Sequence, residues 1–376
     1  MNTLIQLRGQ KMVTLSIICM FLLSMWGVRG EVGPNFDNCK EYFYKDTPVS
    51  GLNIALPAPV ETNPESLKPT CLSAYNPASP AYICQRHDNK YYFATLYDRG
   101  RRIPLYSAYK MDINGVPERG GSIVNYDPQL VHPELSPNQM KIKESKLQIK
   151  IYNKDHGCEE SVTQYKQTYK LKWSQALDED FGNYDRGHLN PAGHHGGDAS
   201  KATMTFTNVA PQDKTMNKEQ WNQYEQNLKN VLSKGCSSMY VVTGVVPGSE
   251  WVNEERVNVP SHYWNAYCCT DNNNIPVESG GAVCENTAEG VVEEFNTIPE
   301  LQNSWGATHN RHRWWFGIGW LCRIPRTASY DLKGKGAIAE EHARARDHVD
   351  VNSFCCSFSQ GDSCGGANEH VSKQCG

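Results

Sequence analysis

The residues best equipped for chemistry crowd into one stretch, Asp185-Arg186-Gly187-His188, followed by Leu189-Asn190-Pro191 and His194-His195. A histidine at the end of a strand can present a ring nitrogen to solvent as a general base near neutral pH. The Arg186 guanidinium offers a fork of donors that suits phosphate oxygens. Gly187 lets the backbone bend, or lets a substrate come close. His194 and His195 invite a zinc reading together with His188, but adjacent histidines point apart and no fourth ligand is evident.

Positioning these groups requires a particular order of elements. Met204 and Phe206 alternate with Thr203, Thr205 and Thr207, which predicts a half-buried strand. After Ala210-Pro211-Gln212 the period changes. Trp221, Tyr224, Leu228, Val231 and Leu232 recur at helical spacing, Asn217 with Gln220 resembles a capping box, and Gly235 suits a helix stop. The expected order is therefore strand or turn, strand, helix. Upstream, Tyr91–Tyr97 and Ile103–Tyr109 flank a turn at Asp98-Arg99-Gly100 and read as a hairpin. Residues 31–80 read as irregular, 112–140 as loop, and Lys141–Lys150 as ambiguous. Met239–Val246, Tyr263–Thr270 and Trp314–Cys322 read as further strands.

Three ordered motifs carry a resemblance. Asp185-Arg186-Gly187-His188, then Asn208-Val209-Ala210-Pro211-Gln212, then Asn217 with Glu225 are similar in order and spacing to the signature of the DNA/RNA non-specific endonuclease family, the ββα-metal nucleases. Ile83-Cys84-Gln85-Arg86, Phe93–Tyr97 and Arg102–Tyr109 resemble its vertebrate secreted branch, the endonuclease domain-containing proteins. The likeness runs from about residue 38 to 325. Some members of that branch have lost the histidine that this chain keeps. The resemblance implies an α+β fold, with a mixed or antiparallel sheet and a ββα-metal element, stabilised by disulfides. It implies that His188 deprotonates the attacking water and that Arg186 steadies the phosphate. Asn217 would bind Mg2+ directly (Mn2+ as a possible substitute), with Asn208 and Glu225 supporting the metal site. If Asn217 and Glu225 share one helix, about 12 Å of axis separates them, so Glu225 would reach the ion through a water. Plainer roles stand beside these: an N-cap for Asn217, a solvated helix face for Glu225, a turn for Asn208.

The whole chain bounds these readings. Met12–Trp26 is apolar, preceded by Arg8 and Lys11, and too short to span a bilayer; residues 1–30 read as a signal peptide and the remainder as exported, with no membrane anchor. Residues 31–330 read as the endonuclease domain and 331–376 as a Cys-rich extension packed on it. Of 14 Cys, Cys19 lies in the signal, so 13 remain. An exported chain so rich in Cys carries several disulfides of unspecified pairing. The odd count leaves a free thiol or allows a disulfide-linked dimer. The net charge is −4. That excludes gripping nucleic acid through bulk charge and calls for a local basic patch, for which Arg99-Arg101-Arg102 and Lys141-Lys143-Lys146 are candidates against the default of a solvated face. The substrate is then DNA, RNA or both. A silent binding protein of the same fold and a phosphodiesterase for small nucleotides are the alternatives.

Overall fold

Alternation along the longest strands writes a sheet with two buried faces. Met239, Val241 and Val245 enter one core while Val242 and Val246 enter another; Tyr263 and Tyr267 join the first while Trp264, Ala266 and Cys268 join the second. Successive strand residues point to opposite faces, so a sheet of this composition must be covered on both sides. The computed structural model describes residues 32–50, 80–117, 122–156, 171–308 and 322. The chain divides into Met1–Pro325 and Arg326–Gly376, and every described residue belongs to the first unit. The expected signal peptide and Cys-rich extension lie outside the described residues, as does the expected strand Trp314–Cys322 apart from Cys322 itself.

Strands β1 (Val32–Gly33), β2 (Pro80–His87), β3 (Lys90–Asp98) and β4 (Ile103–Lys110) form a meander. A small ribbon of β5 (Asn125–Tyr126) and β6 (Met140–Lys141) leads into α1 (Ile142–Asp155). A second ribbon pairs β7 (Asp185–His188) with β8 (Val209–Gln212), and the short α2 (Gly197–Ala202) lies between them in sequence. Helices α3 (Lys214–Lys218) and α4 (Gln220–Asn227) follow. Strands β9 (Ser238–Val252), β10 (Val257–Thr270), β11 (Pro276–Glu285) and β12 (Glu293–Phe295) precede α5 (Ile298–Thr308). The main sheet has the order β1-β2-β3-β4-β9-β10-β11-β12, antiparallel throughout. The fold is α+β. The chain between β4 and β9 packs on one face through Phe206, Met216, Trp221 and Tyr224. The other face is covered by Phe36, Phe43 and Tyr44 from the N-terminal side and by Ile298 and Leu301 of α5.

Disulfides join Cys39 to Cys84, Cys236 to Cys269 and Cys268 to Cys322. Among the described residues Cys284 is a free, buried thiol. No helix among them is long and apolar enough to cross a membrane.

The expected hairpin at Tyr91–Tyr109 is present as β3-β4. The ambiguous Lys141–Lys150 is mostly helix α1. The expected strand over Thr203–Thr207 is instead a buried turn ending in a 3-10 helix, Phe206–Asn208. Its threonines do not face water. Thr203 Oγ1 donates to Ser200 O (2.7 Å), Thr205 Oγ1 to Asn125 O (3.2 Å), and Thr207 Oγ1 to the Asp127 carboxylate. A polar residue with buried partners defeats a pattern that assumes polar means solvated. The Arg99–Arg102 cluster is likewise internal and is no phosphate track. Arg101 pairs with Asp98 at 2.7 Å, and Arg102 donates to Lys172 O and Arg256 O at 2.8 and 2.9 Å. Lys141 and Lys143 are exposed on and beside α1, as a solvated face would be.

Candidate active site

The β7-β8 ribbon sits on the main sheet through a contact that requires glycine. Gly187 pairs with Ala210, and a Cβ on Gly187 would lie 2.1 Å from Gln212 Oε1 and 2.7 Å from the Tyr263 hydroxyl. Close approach to the sheet, rather than backbone bending, is what this glycine provides. The Tyr263 hydroxyl donates to Ala210 O at 3.0 Å. With Gly187 facing the sheet, period-two alternation turns Arg186 and His188 to the other side of the ribbon.

Beyond β8 the chain enters its helix one turn earlier than Asn217. Asp213 is the N-cap, its Oδ1 accepting from Thr215 N (2.8 Å) and Met216 N (3.1 Å). Asn217 therefore lies inside α3, not at a cap. Helical geometry breaks at Glu219 (φ −110°, ψ −85°) before α4 begins, so Asn217 and Glu225 occupy two helical segments and the straight-helix spacing does not apply. Asn286 fastens the junction to the sheet. Its Oδ1 accepts from Asp213 N (2.8 Å), and its Nδ2 donates to Pro211 O (3.1 Å) and Pro260 O (2.8 Å).

His188 is half-buried. Its Nε2 is sealed from solvent and has no hydrogen-bond partner, which leaves Nδ1 as the nitrogen a water can reach. Burial pushes the pKa down to about 4, so the imidazole is neutral at pH 7. Arg186 is braced by Asp178, with Nη2 2.6 Å from Asp178 Oδ1 and 2.9 Å from Asp178 O, and its guanidinium lies 5.3 Å over the Phe181 ring. The Asp178–Phe181 turn is itself locked by Asp180, whose carboxylate pairs with Arg256 and accepts from Asn253. Burial alone would raise the Asp180 pKa; Arg256 outweighs it and holds the acid below its usual range.

The two asparagines of the motif have opposite environments. Asn208 is fully buried and saturated: Oδ1 accepts from Ser107 Oγ and Asn190 N (both 3.0 Å), while Nδ2 donates to Asn190 O (2.9 Å) and Thr203 O (3.0 Å). Asn217 is half-buried. Its Nδ2 donates to Asp185 Oδ2 at 3.1 Å, and that carboxylate also faces Lys218 Nζ at 3.7 Å. With Nδ2 committed, Oδ1 is the atom presented outward. Glu225 projects from α4 beside Trp221, and burial pushes its pKa up to about 8 against the indole's opposing pull. No described cation pairs with it.

His194 and His195 are engaged in hydrogen bonds. His194 lies between the Tyr109 hydroxyl (2.8 Å) and Glu225 O (3.0 Å), and His195 Nε2 meets Asn190 Oδ1 at 2.6 Å. Burial lowers their pKa values to about 4 and about 3. No three His, Cys, Asp or Glu side chains among the described residues gather as a metal cage. Thus β7 carries Asp185, Arg186 and His188 together, and Asn217 reaches that strand through Asp185. Asn208 stands behind the strand, and Glu225 lies half-buried on α4. Sequence reading missed Asp213, Asn286 and the His195–Asn190 pair. Only Asp213 left a local signal, an acidic residue just ahead of a helical period.

This ββα arrangement coincides with a known family. The model of the DNA/RNA non-specific endonuclease family matches residues 73–309. The chain belongs to that family. The endonuclease domain-containing 1 protein of Homo sapiens is 29% identical over 245 residues, 64% of this chain and 40% of its own length. The Mus musculus protein of that name is 28% identical, over 62% of this chain and 39% of its own. Mitochondrial endonuclease G of Caenorhabditis elegans is 28% identical over 126 residues, 29% of this chain and 41% of its own. The chain spans about two fifths of the length of these curated relatives. All three motifs, from Asp185 to Glu225, lie within the matched endonuclease segment.

Proposed function

We propose that the protein is an exported, metal-dependent endonuclease that hydrolyses phosphodiester bonds of DNA, RNA or both without strong sequence preference. The observation that carries this reading is the placement of His188 at the end of β7, half-buried with Nε2 sealed, on the strand that also carries Arg186 and the Asp185 that holds Asn217. A neutral imidazole holds its proton on one nitrogen and a lone pair on the other. With the proton on the sealed Nε2, the lone pair sits on Nδ1, where it can take a proton from an attacking water. An anionic phosphate arriving beside the ring raises its pKa from about 4 and strengthens the base when it is needed.

The residues present suit a hard dication. Asn217 offers Oδ1 with its other carboxamide atom fixed by Asp185. Glu225 is a half-buried acid with no cationic partner among the described residues, and a nearby positive charge would favour its ionised form. Mg2+ prefers oxygen ligands and keeps most of its waters, so one direct protein ligand and one through water suffice. When bound, Mg2+ (or Mn2+ in its place) supplies charge stabilisation for the leaving oxygen. Arg186, steadied by Asp178, gives its remaining donors to phosphate. Asn208 acts from behind by holding the His188–Asn190 turn through its four hydrogen bonds. Export is supported by the apolar Met12–Trp26 run and by the three disulfides.

Plasmid and long RNA incubated with Mg2+, and again with EDTA, test the activity; cleavage is expected only with metal. His188→Ala is expected to lose roughly 10²- to 10⁴-fold in rate while its circular dichroism spectrum is unchanged. Cleavage by that variant at the parental rate would sink the mechanism. A dinucleotide cut faster than long duplex would favour a small-nucleotide phosphodiesterase instead.

A further inference from the structure

Helix α4 is tied to the sheet by two runs of buried hydrogen bonds, one from Tyr224 and one from Glu225. The Tyr224 hydroxyl donates to Asn265 Oδ1 at 2.8 Å, and Asn265 Nδ2 donates to Thr243 Oγ1 at 2.8 Å. Tyr109 meets His194 Nδ1 at 2.8 Å, and His194 Nε2 meets Glu225 O at 3.0 Å. Strand register brings these groups together: Asn265 pairs with Thr243, Thr243 pairs with Ser107, and Tyr109 stands two residues along the same face. Tyr224, Asn265, Thr243, Tyr109 and His194 are each at most 3% exposed.

The partners fix the direction of every bond. A backbone carbonyl only accepts, so His194 Nε2 carries the ring proton and Nδ1 accepts from the Tyr109 hydroxyl. In the other run the Tyr224 hydroxyl donates to the Asn265 amide oxygen, and the Asn265 amide nitrogen donates to Thr243. Within each run the donors point one way, the arrangement in which each bond polarises the next. The Glu225 carbonyl can accept from outside the helix because the helical register changes just beyond it: the Leu228 N–H is shared between Tyr224 O and Glu225 O, and residues Leu228–Leu232 continue as a π-helix. Lys229 Nζ donates to Gly193 O at 2.6 Å and holds the His194 corner from the other side. Two attachments at consecutive helical residues, about 100° apart around the axis, fix both the rotation and the rise of α4.

We propose that Tyr109, Thr243 and His194 are positioning residues: through these two attachments of α4 they set where the Glu225 carboxylate stands, and so set the affinity of the protein for its divalent cation. The proposal rests on the reading of the site as a metal-dependent nuclease. It assigns His194 a task in the geometry of the site.

The test uses the full chain with Tyr109→Phe, Thr243→Val and the double variant, each checked for a native circular dichroism spectrum. Tyr267→Phe is the control; it removes a hydroxyl that donates to Glu278 at 3.2 Å, outside both runs. Mn2+ affinity is read by paramagnetic resonance, and the half-saturating Mg2+ concentration by plasmid cleavage. Each variant is expected to weaken Mn2+ binding and to raise the half-saturating Mg2+ concentration, each about 10- to 100-fold, with the rate at saturating Mg2+ within about threefold of the parent. The double variant is expected to cost more than either single one, since each removes a separate attachment of α4. Unchanged metal affinity in both single variants overturns the proposal, as does a loss confined to the saturated rate or one matched by Tyr267→Phe. A parent chain that neither binds Mn2+ nor cuts overturns the proposed function and this proposal together, so the two failures are distinguishable.

Discussion

At His188 burial and basicity pull in opposite directions. Desolvation keeps the ring neutral, which a base needs, but also weakens it, and the approaching phosphate restores its strength. The partner residue Asn217 poses a question of orientation, because a carboxamide can present either its oxygen or its nitrogen. Asp185 decides it by accepting from Nδ2 at 3.1 Å. Asp185→Asn removes that preference, since an asparagine there can donate as well as accept. The half-saturating Mg2+ concentration for plasmid cleavage is expected to rise about 10- to 100-fold. Lys218→Ala should leave it nearly unchanged, because its 3.7 Å contact with Asp185 is a largely exposed ion pair. A wild-type metal requirement in Asp185→Asn would remove that residue from the site.

The ββα unit is not a freestanding motif; long-range hydrogen bonds assemble it. Tyr263 secures β8, Asp213 starts α3, the break at Glu219 redirects the chain, and Asn286 ties the junction of strand and helix to β10 and β11. Asn286→Ala leaves the Asp213 N–H and the Pro211 and Pro260 carbonyls without that partner. It is expected to cost about 2–4 kcal/mol in urea unfolding, because unmade buried hydrogen bonds are expensive. Asp213→Ala removes only a cap and is expected to cost about 1 kcal/mol. Equal losses in the two variants would mean that Asn286 is a local turn residue and no anchor.

Over the whole molecule, burial leaves a signature in the dependence of stability on pH. Burial lowers the pKa values of His188, His194 and His195 to about 4, 4 and 3, from the ordinary imidazole value of 6.5. Between pH 6.5 and about 4 the unfolded chain binds these protons and the folded chain does not. Their contribution is therefore present above pH 6.5 and is lost as the pH falls. Glu225 works the other way. Its folded pKa is about 8 against 4.5, so between pH 4.5 and 8 the folded chain holds the extra proton. From pH 6.5 to 4.5 the three histidines outweigh the one acid. The urea midpoint of the metal-free protein should fall steadily over that range, by up to about 1.4 kcal/mol per pH unit for each net proton. A flat midpoint would mean that the imidazoles are solvated in the folded state.

The sequence by itself determined the chemistry on offer and its order. The Asp185–His188 motif, the later asparagines, Glu225, the β3-β4 hairpin and the expectation of disulfides depend on local spacing and composition, which the chain states directly. Only the tertiary structure decided what each group is free to do. Asn208 and Asn217 are the same residue type in one signature, yet one is saturated by Ser107, Asn190 and Thr203 while the other keeps its oxygen. His194 and His195 pass for ligands until Tyr109 and Glu225 occupy both nitrogens of the first and Asn190 meets Nε2 of the second. Thr203–Thr207 reads as a strand until its hydroxyls find buried partners. Spacing fixes which residue types come near one another, but the availability of a polar atom depends on whether some distant segment has already satisfied it, and that is decided only when the chain has packed.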